Sequence, residues 1–239
     1  MSINNNIARV EEQIAAACRR ANRARESVRL MAVSKTHPPP TILDAYAAGL
    51  RLFGENRVQE YAGKREELTE RGLFDAESPA RVHCIGPLQS NKAARAVELF
   101  DAVDTLDSLR LAERLDRAAK EFRKTLTVSI EVKLSPEESK HGIAPDSREF
   151  DELLERLPEF RHLHVQGLMT VPPYLENPEE TRPYFRQLRA LRDSLAPRFP
   201  RPSLDELSMG MSHDFPIAIE EGATVVRVGT AIFGTRTSA

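Results

Sequence analysis

Of the 34 basic residues in this 239-residue chain only 7 are lysines, so a lysine at a chemically useful place stands out. Lys35 and Lys133 each end a short apolar run of the kind that forms a strand. An amine drawn partly out of water loses some of its preference for the charged form, and the neutral form condenses with an aldehyde or ketone. Lys35 shares a strand face with Met31 and Val33, which carries its stem inward. Lys133 reads either as a second cation that depresses the first amine or as a partner for Glu131 or Asp104, and spacing does not choose between the two lysines. Two further segments suit a phosphate. Ser208-Met209-Gly210-Met211-Ser212 and Val228-Gly229-Thr230 offer hydroxyls at Ser212 and Thr230, with glycines that let backbone N–H groups approach an anion. Serine and glycine are equally ordinary in turns, and it is the pairing of the two segments that favours a phosphate. His162 and His164 form an HxH pair at the start of a strand, where no metal site is expected. His83 and Cys84 read as packing groups, and His213 as a cap or a site wall.

These residues need elements to position them. Ile3, Ile7, Val10, Ile14 and Ala17 recur at helical spacing. Eight short apolar or β-branched runs follow, at 30–34, 52–53, 82–85, 100–103, 127–132, 163–168, 204–207 and 224–228. Helical stretches separate them, the clearest starting at Asp107 and Glu179, and Asp107 and Asp214 read as N-caps. Strict alternation of strand and helix predicts a parallel sheet with right-handed crossovers, and eight units favour a closed (β/α)8 TIM barrel with an added N-terminal helix. The rival is an open doubly wound sheet, which would carry a glycine-rich loop after its first strand. Here Ser34 is followed by Lys35, Thr36, His37 and three prolines. A barrel gathers the residues that follow its strands at one mouth: Lys35, Asn56, Lys92, Lys133, the 208–214 segment and Arg227 to Thr230.

Composition narrows the partners. With 36 acidic residues and a net charge of -2, nothing electrostatic recommends nucleic acid or an anionic membrane, and a small ligand is favoured. Two cysteines are too few for a disulfide scaffold and fit a reducing cytoplasm. No apolar run approaches the ~20 residues of a spanning helix, and the N-terminus lacks the apolar stretch of a signal peptide. The expectation is one soluble, cytoplasmic domain over residues 1–239, with the Pro-rich stretch 196–202 as a connecting loop.

Seven segments in chain order closely resemble the pyridoxal phosphate homeostasis protein family: AVSKTHP (32–38), FGENRVQE (53–60), HCIGPLQSNK (83–92), ESKHGI (138–143), GLMT (167–170), LSMGMSHD (207–214) and VRVGTAIFG (226–234). The resemblance spans nearly the whole chain. It implies a barrel like the N-terminal domain of alanine racemase, PLP fold type III, holding pyridoxal 5'-phosphate (PLP) as an internal aldimine on a lysine that by motif position is Lys35. It also implies phosphate contacts at Ser212 and around Gly229 and Thr230, Arg227 against the pyridine nitrogen, Asn56 facing the cofactor, and Met209 with Met211 as wall residues. The chain departs from the family pattern at Cys84, where a larger apolar residue is usual, and at Gln166, where a basic one is common.

An arginine stays protonated and can only donate, so Arg227 would leave the ring nitrogen unprotonated and weaken the ring as an electron sink. Racemases that this chain resembles pair such an arginine with a tyrosine from a second domain. Here Tyr46, Tyr61, Tyr174 and Tyr184 all precede the seventh strand, and ten residues follow Gly229. The expected function is therefore non-catalytic: carrying, buffering or delivering PLP, with PLP-dependent apoenzymes as transient partners and Lys92 and Lys140 as secondary acceptors. The alternatives are a PLP-dependent amino-acid racemase and a lysine aldolase acting on a sugar phosphate.

Overall fold

A computed structural model describes residues 2–74, 77–137, 140–198 and 204–234. Its first element follows from the apolar spacing. Helix α1 (Ile3–Arg20) buries Ile7, Val10, Ile14 and Ala17 along one face, and the Ser2 hydroxyl accepts from the Asn5 N–H at its start. The strands β1 (Arg29–Val33), β2 (Leu52–Glu55), β3 (Arg81–Cys84), β4 (Ala102–Leu106), β5 (Leu126–Glu131), β6 (Leu163–Met169), β7 (Glu206–Met211) and β8 (Val225–Val228) pair in that order, all parallel. β8 returns to β1 and closes a (β/α)8 barrel. The crossovers carry α2 (Pro39–Ala47), α3 (Val58–Glu70), α4 (Ala93–Leu99), α5 (Leu109–Glu121), α6 (Arg148–Arg156), α7 (Arg182–Leu195) and α8 (Phe215–Glu220), and α9 (Thr230–Phe233) follows β8.

Three expectations shift. The fourth strand starts at Ala102 because Phe100 caps α4 and is buried in the outer core. The seventh starts at Glu206 and takes in Ser208 to Met211, so most of the segment expected as a loop is strand. The cap of α5 is Ser108, whose hydroxyl accepts from the Leu111 N–H, rather than Asp107. Asp214 does stand at the cap position of α8, but its carboxylate turns back to the Met211 N–H at 2.6 Å. Of the Pro-rich stretch 196–202, residues 199–202 lie outside the described residues.

Alternation along each strand decides what faces each side. Leu30, Ala32, Leu207, Met209, Val226 and Val228 point outward and belong to one continuous apolar layer that also holds Leu111 and Leu115 of α5 and Phe185 and Leu188 of α7. Each fully buried leucine there contributes about 2 kcal/mol. The barrel interior is different. Met31, Leu52 and Val225, with Ile85 against them, form only a small apolar cluster, and charged or polar groups fill much of the rest. Buried charges need partners, and Glu206 and His83 have them. Glu206 pairs with Arg29 and accepts from Gln166 Nε2 at 3.1 Å, while Gln166 also reaches Ser129 Oγ. His83 Nδ1 lies 3.0 Å from Asp104 Oδ2; burial works against its proton, but the Asp104 charge and hydrogen bond outweigh this and hold its pKa above the ordinary value. Among the described residues no helix is long and apolar enough to cross a membrane.

Candidate functional site

At the C-terminal mouth β1 runs into Lys35, which is half-buried and has the parity of Met31 inside the barrel. The next residue, Thr36, has φ +68°, a left-handed conformation that is a genuine outlier for a β-branched side chain. Asn56 follows β2. Its Oδ1 is buried and has no hydrogen-bond partner among the described residues, a deficit of about 1–3 kcal/mol that a ligand donor would remove. Gly86, just after β3, holds Asn56 in place: a Cβ there would sit 2.2 Å from the Asn56 carbonyl oxygen, so only glycine lets the two loops close.

Arg227 of β8 is 4% exposed and occupies the interior. It donates to Ser208 Oγ and to the Thr170 carbonyl, both at 2.7 Å. Burial lowers its pKa from the ordinary value, and the charges of Asp104, Glu131, Asp214 and Glu206 oppose that. Glu131 of β5 is pushed up to about 7 by burial, against the pull of Arg227, and its Oε2 has no hydrogen-bond partner among the described residues. The mouth thus holds an amine, an arginine that can only donate, and a carboxyl that titrates near neutrality.

The third part of the site lies beyond β7 and β8. Ser212 Oγ accepts from the Gly229 N–H at 3.3 Å and from the Ala231 N–H at 3.4 Å, so a hydroxyl oxygen already sits where these amides converge. Gly210, at φ +91°, and the Asp214 carboxylate on the Met211 N–H shape the turn that presents Ser212. Gly229 is half-buried, and Thr230 is exposed at the start of α9. Together these groups fit a phosphorylated, aldehyde-bearing pyridine: hydroxyl and amides at one end, a buried arginine for the ring, an amine on the first strand.

Not every expected residue joins them. Met209 is fully buried in the outer apolar layer, on the strand face opposite Ser208 and Arg227, and so does not wall the mouth. Among the ion pairs of the described residues none joins Lys133 to Glu131 or Asp104. Lys92, after β3, donates to Gln59 Oε1 at 3.3 Å, and Lys140, after β5, stands 3.9 Å from Glu137; residues 138–139, next to Lys140, lie outside the described residues. His213 stacks on exposed Tyr174 and reaches the Leu175 carbonyl. His162 Nδ1 is 3.6 Å from Asp116, and among the described residues no three His, Cys, Asp or Glu side chains gather as metal ligands. His164 instead lines a polar pit of about 320 Å³ with Arg29, Gln166 and Glu206 at the opposite end of the barrel. The sequence places Ser208 in the phosphate segment without marking it as the partner of Arg227, and it does not mark Glu131 as a site group. The signal available was parity with Arg227 and Ser129, hidden for Ser208 because its strand was placed too early.

Comparison with known proteins agrees with this fold. The family described as "Alanine racemase, N-terminal domain" matches residues 6–237. The chain is 45% identical over 230 residues to the "Pyridoxal phosphate homeostasis protein" of Aquifex aeolicus, covering 96% of each. The structure of PipY from Synechococcus elongatus PCC7942 with PLP bound is similar at a TM-score of 0.82 and 41% identity, covering 98% of this chain and all of that one. An alanine racemase of Clostridium difficile 630 superposes with a TM-score of 0.72 at 14% identity, covering 99% of this chain and 57% of that one, a likeness of fold.

Proposed function

This chain belongs to the pyridoxal phosphate homeostasis protein family, and we propose that it binds PLP in the C-terminal mouth of its barrel and carries, buffers or delivers it, with little or no turnover of its own. The observation that carries the reading is the convergence at one mouth of Lys35, the buried Arg227 and the amides gathered on Ser212. When bound, PLP supplies an aldehyde that condenses with an amine, joining the nitrogen to the aldehyde carbon and expelling the oxygen as water. Lys35 is the amine. Ser212 with the backbone at Gly229 and Thr230 takes the phosphate, Arg227 donates to the ring nitrogen and keeps it unprotonated, and Asn56 supplies an acceptor that has no partner among the described residues. Met209 has no part in this set.

Low turnover is supported by Arg227 and by the tyrosines. Tyr46 bonds the Ser78 carbonyl outside the barrel, Tyr61 packs on Phe100 in the outer core, Tyr174 stands on His213, and Tyr184 belongs to α7. PLP-dependent apoenzymes in the cytoplasm are the proposed recipients. The test is to load the protein with PLP, reduce with borohydride and map the adduct. Modification of Lys35 is expected, and an adduct on Lys133 with Lys35 untouched would falsify the assignment. One observation favours a racemase instead: Glu131, titrating near neutrality with an unpartnered oxygen, is a candidate proton acceptor. Solvent deuterium exchange at Cα across a panel of amino acids separates the two, and exchange clearly above that of free PLP would establish turnover.

A further inference from the structure

Outside the barrel mouth, between β2 and α3, lies a buried ion cluster that none of the proposed PLP contacts uses. Lys64 of α3 is 8% exposed, with Nζ 2.7 Å from Glu60 Oε1 and 3.1 and 3.3 Å from the two oxygens of Glu55. The same ammonium donates to the Ser34 carbonyl at 3.3 Å, and Ser34 Oγ donates to Glu55 Oε1 at 2.7 Å. Glu60 Oε1 also accepts the Thr36 N–H at 2.6 Å. The residues on both sides of Lys35 are therefore tied to one cluster, Ser34 by its carbonyl and hydroxyl and Thr36 by its amide.

Stability alone is a weak reason to keep such a cluster, because buried ion pairs are often no better than well-packed apolar replacements. The backbone supplies a stronger reason. Thr36, at φ +68°, occupies a conformation that a β-branched residue keeps only where its surroundings over-determine it. The Glu60 carboxylate on its amide and the Lys64 ammonium on the preceding carbonyl are that over-determination. Without them the turn would relax toward ordinary backbone angles, and the Lys35 side chain would leave the mouth from a different direction.

We infer that Glu60 and Lys64, with Glu55 and Ser34, are positioning residues that lock the strained turn around Lys35 and so aim its amine at an aldehyde held in the mouth. The inference rests on the PLP reading above and deepens it. Two measurements separate aim from binding. Pyridoxine 5'-phosphate, which has a hydroxymethyl group in place of the aldehyde, reports occupancy of the mouth without condensation. The absorbance change on adding PLP, checked by borohydride trapping and mapping, reports the rate at which Lys35 is modified. Glu60→Ala should bind pyridoxine 5'-phosphate within about twofold of wild type yet modify Lys35 at least about tenfold more slowly. Glu60→Gln, which keeps a carbonyl oxygen for the Thr36 N–H, should recover most of the rate. Glu60→Asp keeps the charge but withdraws the acceptor by one methylene, so slowing is expected there too, and it covers the case in which Glu60→Ala does not fold. A wild-type rate in Glu60→Ala or Glu60→Asp overturns the inference, and so does a slowing matched by an equal loss of pyridoxine 5'-phosphate affinity. Wild type that binds PLP without modifying Lys35 would refute the assignment of Lys35 itself, and the inference with it.

Discussion

Glu131 shows how much a single buried residue adds to what its type reveals. In sequence it is one of 36 acidic residues, with nothing but a prospective lysine partner to mark it. In the barrel it faces inward near Arg227, its Oε2 unpartnered and its carboxyl pushed up to about 7 from the ordinary 4.5, chiefly by burial. The folded protein thus holds this proton more tightly than the unfolded chain does. The stability gained is fully present below about pH 4.5 and is lost as pH rises through about 7. Glu131→Gln is neutral at every pH and escapes the loss. Relative to wild type, its unfolding free energy should rise between about pH 5 and pH 8 by up to about 3 kcal/mol; a difference that stays constant across that range would refute the burial argument. Lys35 is the contrasting residue. Its place at a strand end and its parity with Met31 were readable from the chain, but Lys133 shared the first property, and only the motif resemblance separated them.

At the scale of elements, parity and turn chemistry were readable where a run of apolar or β-branched residues marks the strand, as in β1 and β8, whose ends shift by a single residue at most from the expected runs. β7 misled because Ser208, Met209 and Gly210 look like loop residues. They lie in a strand because Ser208 bonds Arg227 inside while Met209 fills the apolar layer outside. Once the strand is placed there, Met209 leaves the candidate site and Ser208 changes from a loop group to the inward partner of Arg227. The same closeness of elements gives a prediction at the pairing of β6 and β7. A Cβ on Gly167 would lie 2.0 Å from the Glu206 carbonyl oxygen, and backbone on both sides leaves no flexible side chain to yield. Gly167→Ala should therefore cost more than about 3 kcal/mol in denaturant unfolding, and a loss below about 1 kcal/mol would show that the two strands can part.

For the whole molecule, α1 is the element that lies outside the eightfold repeat, and it packs where the barrel closes. Its buried face meets α8 and α9, and Asn6 Nδ2 donates to the Ile232 carbonyl at 2.8 Å, tying the helix to the segment that begins at Gly229 and Thr230. Ile14 is fully buried in that contact layer, so Ile14→Ala should cost about 2–5 kcal/mol. Thermal or denaturant unfolding measures this directly, and a change under about 1 kcal/mol would mean that α1 is only loosely attached. The amino-acid sequence by itself determined the repeating strand and helix units, the closed barrel they favour, and the strand ends from which a site must be built. These follow from hydrophobic periodicity, which is local and can be read along the chain. Tertiary structure alone decided which of those residues meet: Arg227 with the Thr170 carbonyl 57 positions away, Ser212 with the amides after β8, and Lys64 with the Ser34 carbonyl 30 positions before it. Such pairings depend on how strands twist and helices settle against the closed sheet, distances that no spacing along the chain records.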